Sequence, residues 1–202
     1  MHDEIFIEPF KGGDLSEITD VVTNAMLTNP LHVAAFGSCD DRAREMQRKM
    51  FDIVLRQPDC KLHVAKKNNQ VIGVMNYYMP GHCQLSLGKT LMLLPELIMG
   101  VREKFPRVLK WKSVWGAHDA KTPHLHFGPL AVLAAEQGRG VGSALLHYFC
   151  RIADANKHDA YLETDKKENV RLYEKSGFEI VATDTLFGVT NWFMLRRCGE
   201  HS

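Results

Sequence analysis

At 202 residues, 45% hydrophobic and 24% charged, the chain can form one domain burying about 70% of the surface it exposes unfolded. Lys plus Arg number 25 against 24 Asp plus Glu, so no basic field favours a nucleic acid or an anionic membrane as partner. Five cysteines (Cys39, Cys60, Cys83, Cys150, Cys198) form no C-x-x-C pair, which argues against a disulfide framework or a zinc ribbon and for reduced, intracellular thiols.

Along the chain, Met1-His2-Asp3-Glu4 is acidic and lacks the basic end of a signal peptide, so a cytoplasmic location is expected. Ile5 to Phe10 predicts a strand. After Gly12-Gly13, Asp14 can cap a helix carrying Leu15, Ile18, Val21, Val22 and Ala25 at helical spacing, and Asn29-Pro30 stops it. Leu31 to Ser38 reads as an apolar loop. A second helix is expected over Asp41 to Gln57, with Ala43, Met46, Met50, Ile53 and Val54 as its apolar stripe. Lys61 to Lys66 and Val71 to Met79 predict a hairpin joined by Lys67-Asn68-Asn69-Gln70.

Residues 82–121 read as an insertion or lid in which Leu91 to Phe105 suggests a helix bent at Pro95, and Val108 to Ala117 carries Trp111 and Trp115. The apolar segment Leu91 to Val101 is too short to span a bilayer, which takes about 20 residues. Beyond it are expected a strand from His124 to Leu133, a helix from Gly138 to Asn156 and a strand from Ala160 to Thr164. A short helix from Lys167 to Ser176 and strands over Phe178 to Leu186 and Thr190 to Arg196 complete a mixed α/β chain. With no repeat or linker in view, residues 1–202 read as a single domain.

The densest signal is Gln137-Gly138-Arg139-Gly140-Val141-Gly142, between an apolar strand and an amphipathic helix. Glycines bend the main chain so that successive N–H groups face one concavity, reinforced by the positive end of the next helix. A phosphate or pyrophosphate is the expected guest. A Walker loop is excluded because no Lys followed by Ser or Thr comes after the glycines. A Rossmann turn stays open as an alternative: Ser143 replaces its third glycine, but Glu163 lies where a ribose-binding acid would stand.

The pattern Gln137-x-x-Gly140-x-Gly142, together with Tyr161-Leu162-Glu163-Thr164 and with Asn169-Val170-Arg171-Leu172-Tyr173-Glu174-Lys175-Ser176-Gly177-Phe178, resembles the coenzyme site of the GNAT N-acetyltransferase superfamily. His124-Leu125-His126-Phe127 and Trp192-Phe193-Met194 resemble the subgroup that includes puromycin N-acetyltransferase. This resemblance implies a central, mostly antiparallel sheet whose fourth and fifth strands run parallel and splay apart. It also implies acetyl-CoA as cosubstrate, bound by Leu130, Ala131, Val132, Gln137, Gly138, Arg139, Gly140, Val141, Gly142, Ser143, Asn169 and Tyr173, with no metal. Gln137 stands where many members carry Arg, and Ala134-Ala135 where an Asp-Pro turn is common.

Thioester aminolysis needs an uncharged amine, a donor for the developing oxyanion and a proton for the departing thiolate. Main-chain N–H groups near Leu130 to Val132 suit the second need, and Gly128-Pro129 marks a bulge beside them. Tyr173, sharing a helix face with Asn169, is the candidate acid: a phenol of pKa about 10 can protonate a thiolate of about 8.5. His126, eleven residues before Gln137 where histone-acetylating relatives carry a glutamate, is the candidate base, with Glu163 orienting it or acting directly. A water relay is the alternative. His118, Asp119, His124 and His126 suggest zinc chelation on a His-x-His strand but lack a fourth ligand pair, so no metal is expected. The acceptor is expected to be a small-molecule primary amine, with homodimer and monomer both open. Two other readings stay open, a non-catalytic acyl-CoA-binding module and a Rossmann-like nucleotide binder.

Overall fold

A computed structural model describes residues 5–84 and 87–199; Met1 to Glu4 lie outside them. Phe6–Pro9 forms β1, and Asp14 caps α1 (Leu15–Met26), its carboxylate accepting from the Ser16 N–H at 2.8 Å. Asn29-Pro30 does end the first helix region, but the expected loop after it is instead helix α2 (Pro30–Phe36). Proline at the first helical position forfeits no hydrogen bond, and Gly37 closes the helix at φ 85°. The apolar content that suggested a loop lining is the reason the helix is held: Leu31, Ala35 and Phe36 are fully buried. Asp40 then caps α3 (Asp41–Leu55) by accepting from the Ala43 N–H at 2.8 Å.

Strands β2 (Lys61–Lys67) and β3 (Gln70–Tyr78) join through Asn68 and Asn69, both at positive φ, as a two-residue hairpin turn requires. The region from 82 to 121 is helical: α4 (Leu87–Val101), carrying Pro95 inside it, a 3₁₀ turn, and α5 (Phe105–His118). After it come β4 (His124–Val132), α6 (Val141–Ala155), β5 (Asp159–Thr164), α7 (Lys167–Glu174), β6 (Glu179–Leu186) and β7 (Val189–Arg196).

The seven strands form one sheet in the order β1-β2-β3-β4-β5-β7-β6, in which β4 and β5 are parallel and every other pair is antiparallel. One face is covered by α6 and α7, where Leu145, Leu146 and Phe149 pack on Leu125, Phe127 and Leu162. The other is covered by α1 and α3, where Ile18, Val22 and Phe51 meet Val64, Val74 and Ala131. Trp111 of α5 packs with Leu31, Phe36 and Val101 in a third cluster. No helix among the described residues is long and apolar enough to cross a membrane.

The β3–β4 register slips at one place. Met75 faces Leu130 and Tyr77 faces Phe127, so Asn76 opposes both Gly128 and Pro129. The extra residue reverses the alternation: Leu125 and Phe127 point to the α6 side before it, Leu130 and Val132 after it, with Ala131 on the opposite face. The glycine is required, because a Cβ at Gly128 would lie 2.5–2.8 Å from the carboxamide of the fully buried Asn76.

His32 on α2 gives the fold a measurable pH response. Burial holds its pKa down to about 4, overriding the hydrogen bond to Gln47 Oε1 at 2.8 Å, with Lys166 acting in the same direction as burial. A depressed folded pKa means that this contribution is complete above the unfolded value of about 6.5 and is lost as pH falls toward 4. The loss is worth about 3 kcal/mol. Urea midpoints of the wild type should therefore fall across pH 6.5 to 4 more steeply than those of His32→Asn, and parallel curves would contradict the assignment.

Candidate active site

The turn between β4 and α6 is built by two glycines at left-handed φ, Gly138 at 75° and Gly140 at 85°, where a side chain would be strained. A Cβ at either position would enter open space, so the strain lies in the backbone, and the concavity beside them is clear. Gln137 Nε2 donates to Val132 O at 3.1 Å and fastens the turn to the strand end. Ala144 is the first residue of α6 to donate back, to Gly140 O at 2.9 Å, which leaves the N–H groups of Val141, Gly142 and Ser143 facing the turn. With the helix dipole behind them they form an anion site. Arg139 is exposed and pairs with Glu136 at 3.6 Å.

Strand β4 pairs with β5 only at His124, Leu125 and His126. Beyond His126 the two strands part, so the edge of β4 running through Leu130, Ala131 and Val132 faces no strand on that side while it stays registered to β3 on the other. The parted edge leads directly to the glycine turn. An extended ligand tail can add to such an edge as a strand would, with its anionic end on the N–H groups of α6.

Tyr173 and Asn169 lie on α7. Tyr173 is buried in the cluster that holds Phe127 and Leu162, one from each of the parting strands, and packs edge-on to Phe178 at 6.0 Å. Gly177, at φ 84°, ends this segment, and the Phe178 N–H returns to Tyr173 O at 3.1 Å. Burial, with a smaller effect from Asp165, raises the phenol pKa above its ordinary value, so it stays protonated through the neutral range. His126 and Glu163 belong to the other face: their side chains alternate with those of Phe127 and Leu162. His126 Nε2 lies 3.0 Å from Glu163 Oε2, across the mouth of the splay.

The fold and the site can be compared with known proteins. The family model described as the Acetyltransferase (GNAT) family matches residues 27–178, three quarters of the chain. The chain belongs to the GNAT acetyltransferase family. A mycothiol acetyltransferase of Mycolicibacterium vanbaalenii is 35% identical over 85 residues, a match spanning 37% of this chain and 28% of that protein's length. Among solved structures, a Corynebacterium glutamicum structure described as histone acetyltransferase HPA2 and related acetyltransferase is 21% identical, covers 98% of both chains and gives a TM-score of 0.71. A GNAT family acetyltransferase from Elizabethkingia anophelis with acetyl-CoA bound is 17% identical, covers 96% of this chain and 99% of its own, and gives 0.56. These two show the shared fold. GNAT acetyltransferases are acetyl-CoA-dependent enzymes, and the glycine turn and parted edge described above suit a diphosphate and an extended tail.

In this GNAT chain the sheet face carrying His126 and Glu163 holds a denser polar cluster than the sequence suggested. Asp119 Oδ1 lies 3.0 Å from His124 Nε2 and 3.4 Å from His126 Nδ1, and Asp119 Oδ2 lies 3.3 Å from Cys83 Sγ. Burial opposes charge on both imidazoles, but Asp119, Cys83 and the Thr122 carbonyl together outweigh it at His124, whose pKa rises to about 9, and Glu163, Asp119 and Cys83 together outweigh it at His126, which is held well above its ordinary value. The same pairing keeps Asp119 well below the usual carboxylate range against its own burial. His126 is thus engaged on both sides, by Asp119 and by Glu163. His118, read with this group in the sequence, is elsewhere: its ring stacks on Phe193 at 4.1 Å and faces Asp184.

Cys83 is the member that sequence reading passed over, since it stands 41 residues before His124 (124 − 83 = 41) and only the fold brings it in. Asn76, buried beneath the bulge, carried no sequence signal either. The surface cavity lined by Phe10, Ile18 and Val71 lies at the β1–β2 edge and contains none of these residues.

Proposed function

We propose that this chain is a single-domain N-acetyltransferase that passes the acetyl group of acetyl-CoA directly to a primary amine of a small molecule. The observation that carries the reading is the parted edge of β4 running from the bulge to the glycine turn, with Tyr173 on one face of the sheet and Glu163 with His126 on the other. Acetyl-CoA supplies the acyl group as a thioester. The amides of Val141, Gly142 and Ser143, with the turn from Gln137 to Gly140, hold the diphosphate. Main-chain groups of Leu130 to Val132 align the tail and polarise the acyl carbonyl, Asn169 supports α7 against the coenzyme, and Tyr173 donates to the leaving sulfur.

On the acceptor face, the Glu163 carboxylate takes the amine's proton, directly or through water, and His126 fixes its orientation. The imidazole is already engaged by two carboxylates, so the acceptor role passes from the histidine to its partner. Helix α5, with Trp115 reaching Asn191 Oδ1 at 3.0 Å, covers that face, and with α4 packed beside it sets acceptor preference as a lid. The relatives named above give no support to the puromycin-type subgroup. Free-thiol release from acetyl-CoA against a panel of small amines tests the reading: release that depends on one class of amine supports it. Thermal stabilisation by acetyl-CoA with no release across the panel would favour a binding module, and preferential stabilisation by NAD a nucleotide binder.

A further inference from the structure

Asp119 Oδ1 is buried 3.0 Å from His124 Nε2 and 3.4 Å from His126 Nδ1, both also buried, and none of the three makes a well-aligned hydrogen bond. The His124 side chain is only 6% exposed. Buried polar atoms packed this closely call for a shared partner. Together with Cys83 Sγ, the donor atoms of the four residues lie within 4.8 Å of one another. The spacings of the two histidine nitrogens to Asp119 Oδ1, 3.0 and 3.4 Å, are close to the edges of a tetrahedron whose centre lies about 2.0–2.3 Å from each corner, and Cys83 Sγ approaches the other oxygen, Oδ2, at 3.3 Å.

The far side of each imidazole supports the same geometry. His124 Nδ1 is 2.8 Å from Thr122 O, an acceptor, so Nδ1 carries a proton in either charge state and Nε2 is the atom that faces the cluster. His126 Nε2 is held by the Glu163 carboxylate, which leaves Nδ1 to face the cluster. Histidine ligands of a metal are oriented in this way, by a carbonyl or carboxylate on the opposite nitrogen. Without a metal these inward nitrogens carry protons toward Asp119; a metal ion would displace those protons and take both lone pairs together with the carboxylate and the thiolate.

We propose that Cys83, Asp119, His124 and His126 bind one divalent transition-metal ion, with zinc as the best match. One thiolate, two imidazoles and one carboxylate suit a borderline-soft ion and disfavour magnesium and calcium, which take oxygen ligands. Four protein ligands complete a tetrahedral shell, so the site is structural and not catalytic. Its position gives its purpose: Cys83 precedes α4, Asp119 follows α5, and both histidines are on β4, so the ion pins both ends of the helical lid to the strand that carries the acceptor face. The site stands independently of the acetyl-transfer reading, because its test measures metal.

Purified full-length protein, stripped by chelator and reconstituted with zinc, should retain about one zinc per chain after desalting. The cobalt-substituted protein should show a thiolate-to-cobalt charge-transfer band. Cys83→Ser should abolish that band and weaken zinc at least 10-fold, His124→Gln should lose zinc likewise, and His118→Asn should bind as the wild type does. Circular dichroism confirms that each variant is folded, and Cys83→Ser, the mildest change, serves if His124→Gln is not. Zinc-free wild type after reconstitution, or stoichiometric zinc undiminished in folded Cys83→Ser, would overturn the proposal.

Discussion

Tyr173→Phe is expected to reduce kcat by about 10²–10⁴-fold while leaving the dissociation constant for acetyl-CoA nearly unchanged. The ring is retained, so the packing of α7 against Phe127, Leu162 and Phe178 persists, and the stability change should stay below about 1 kcal/mol. What is removed is a proton donor that burial keeps protonated. The same dry surroundings raise the pKa of a thiolate placed there, so donor and leaving group stay matched. A residue acting only in the transition state lowers kcat and kcat/KM together, and steady-state kinetics beside a coenzyme titration separate that pattern from a binding defect. Unchanged turnover, or a parallel loss of coenzyme affinity, would remove Tyr173 from the acid role.

The second large effect is expected at Gly128. Alanine there would place a methyl group within 2.5–2.8 Å of the carboxamide of Asn76, whose short side chain is fully buried. Overpacking of this kind costs about 1–3 kcal/mol, and relief requires β4 to move. The moving part is the edge at Leu130 to Val132, so coenzyme affinity should fall along with stability. Asn76→Ala removes the obstruction, and the double variant Asn76→Ala with Gly128→Ala should recover most of the affinity lost in the single variant. Denaturation and coenzyme titration of the three variants test this: additive losses would show that the contact with Asn76 is not the cause.

Much of the frame is legible in the residues themselves. Asp14 and Asp40 stand before apolar runs of helical period and cap the helices that follow, and Asn68-Asn69 supplies the two left-handed positions of a hairpin. The glycine turn and the bulge at Gly128-Pro129 follow from short motifs with local causes, whereas the parallel β4–β5 pair is implied by the family resemblance and not by the residues alone. Where expectation and structure part, the cause is tertiary. Asn29-Pro30 ends the first helix as expected, but the apolar run after it is a helix and not a loop: at the first position proline begins one, and burial of Leu31 and Phe36 stabilises it. In α4 the apolar residues do not form a single stripe: Leu91, Met92 and Met99 are exposed, so periodicity could not fix its ends. The polar cluster was half visible. His-x-His and Asp119 are read directly, but adjacency suggested His118 as their companion, whereas the last turn of α5 rotates that ring onto Phe193 and a distant cysteine takes the place.

Cys83 and Asp119 approach within 3.3 Å although 36 positions separate them in sequence. A segment that leaves and rejoins a scaffold at one point is a cassette. Its length can grow or shrink at little entropic cost and without shifting the ladder between β3 and β4. The whole stretch between those two residues could therefore be exchanged while the β3–β4 ladder and the glycine turn stay as they are.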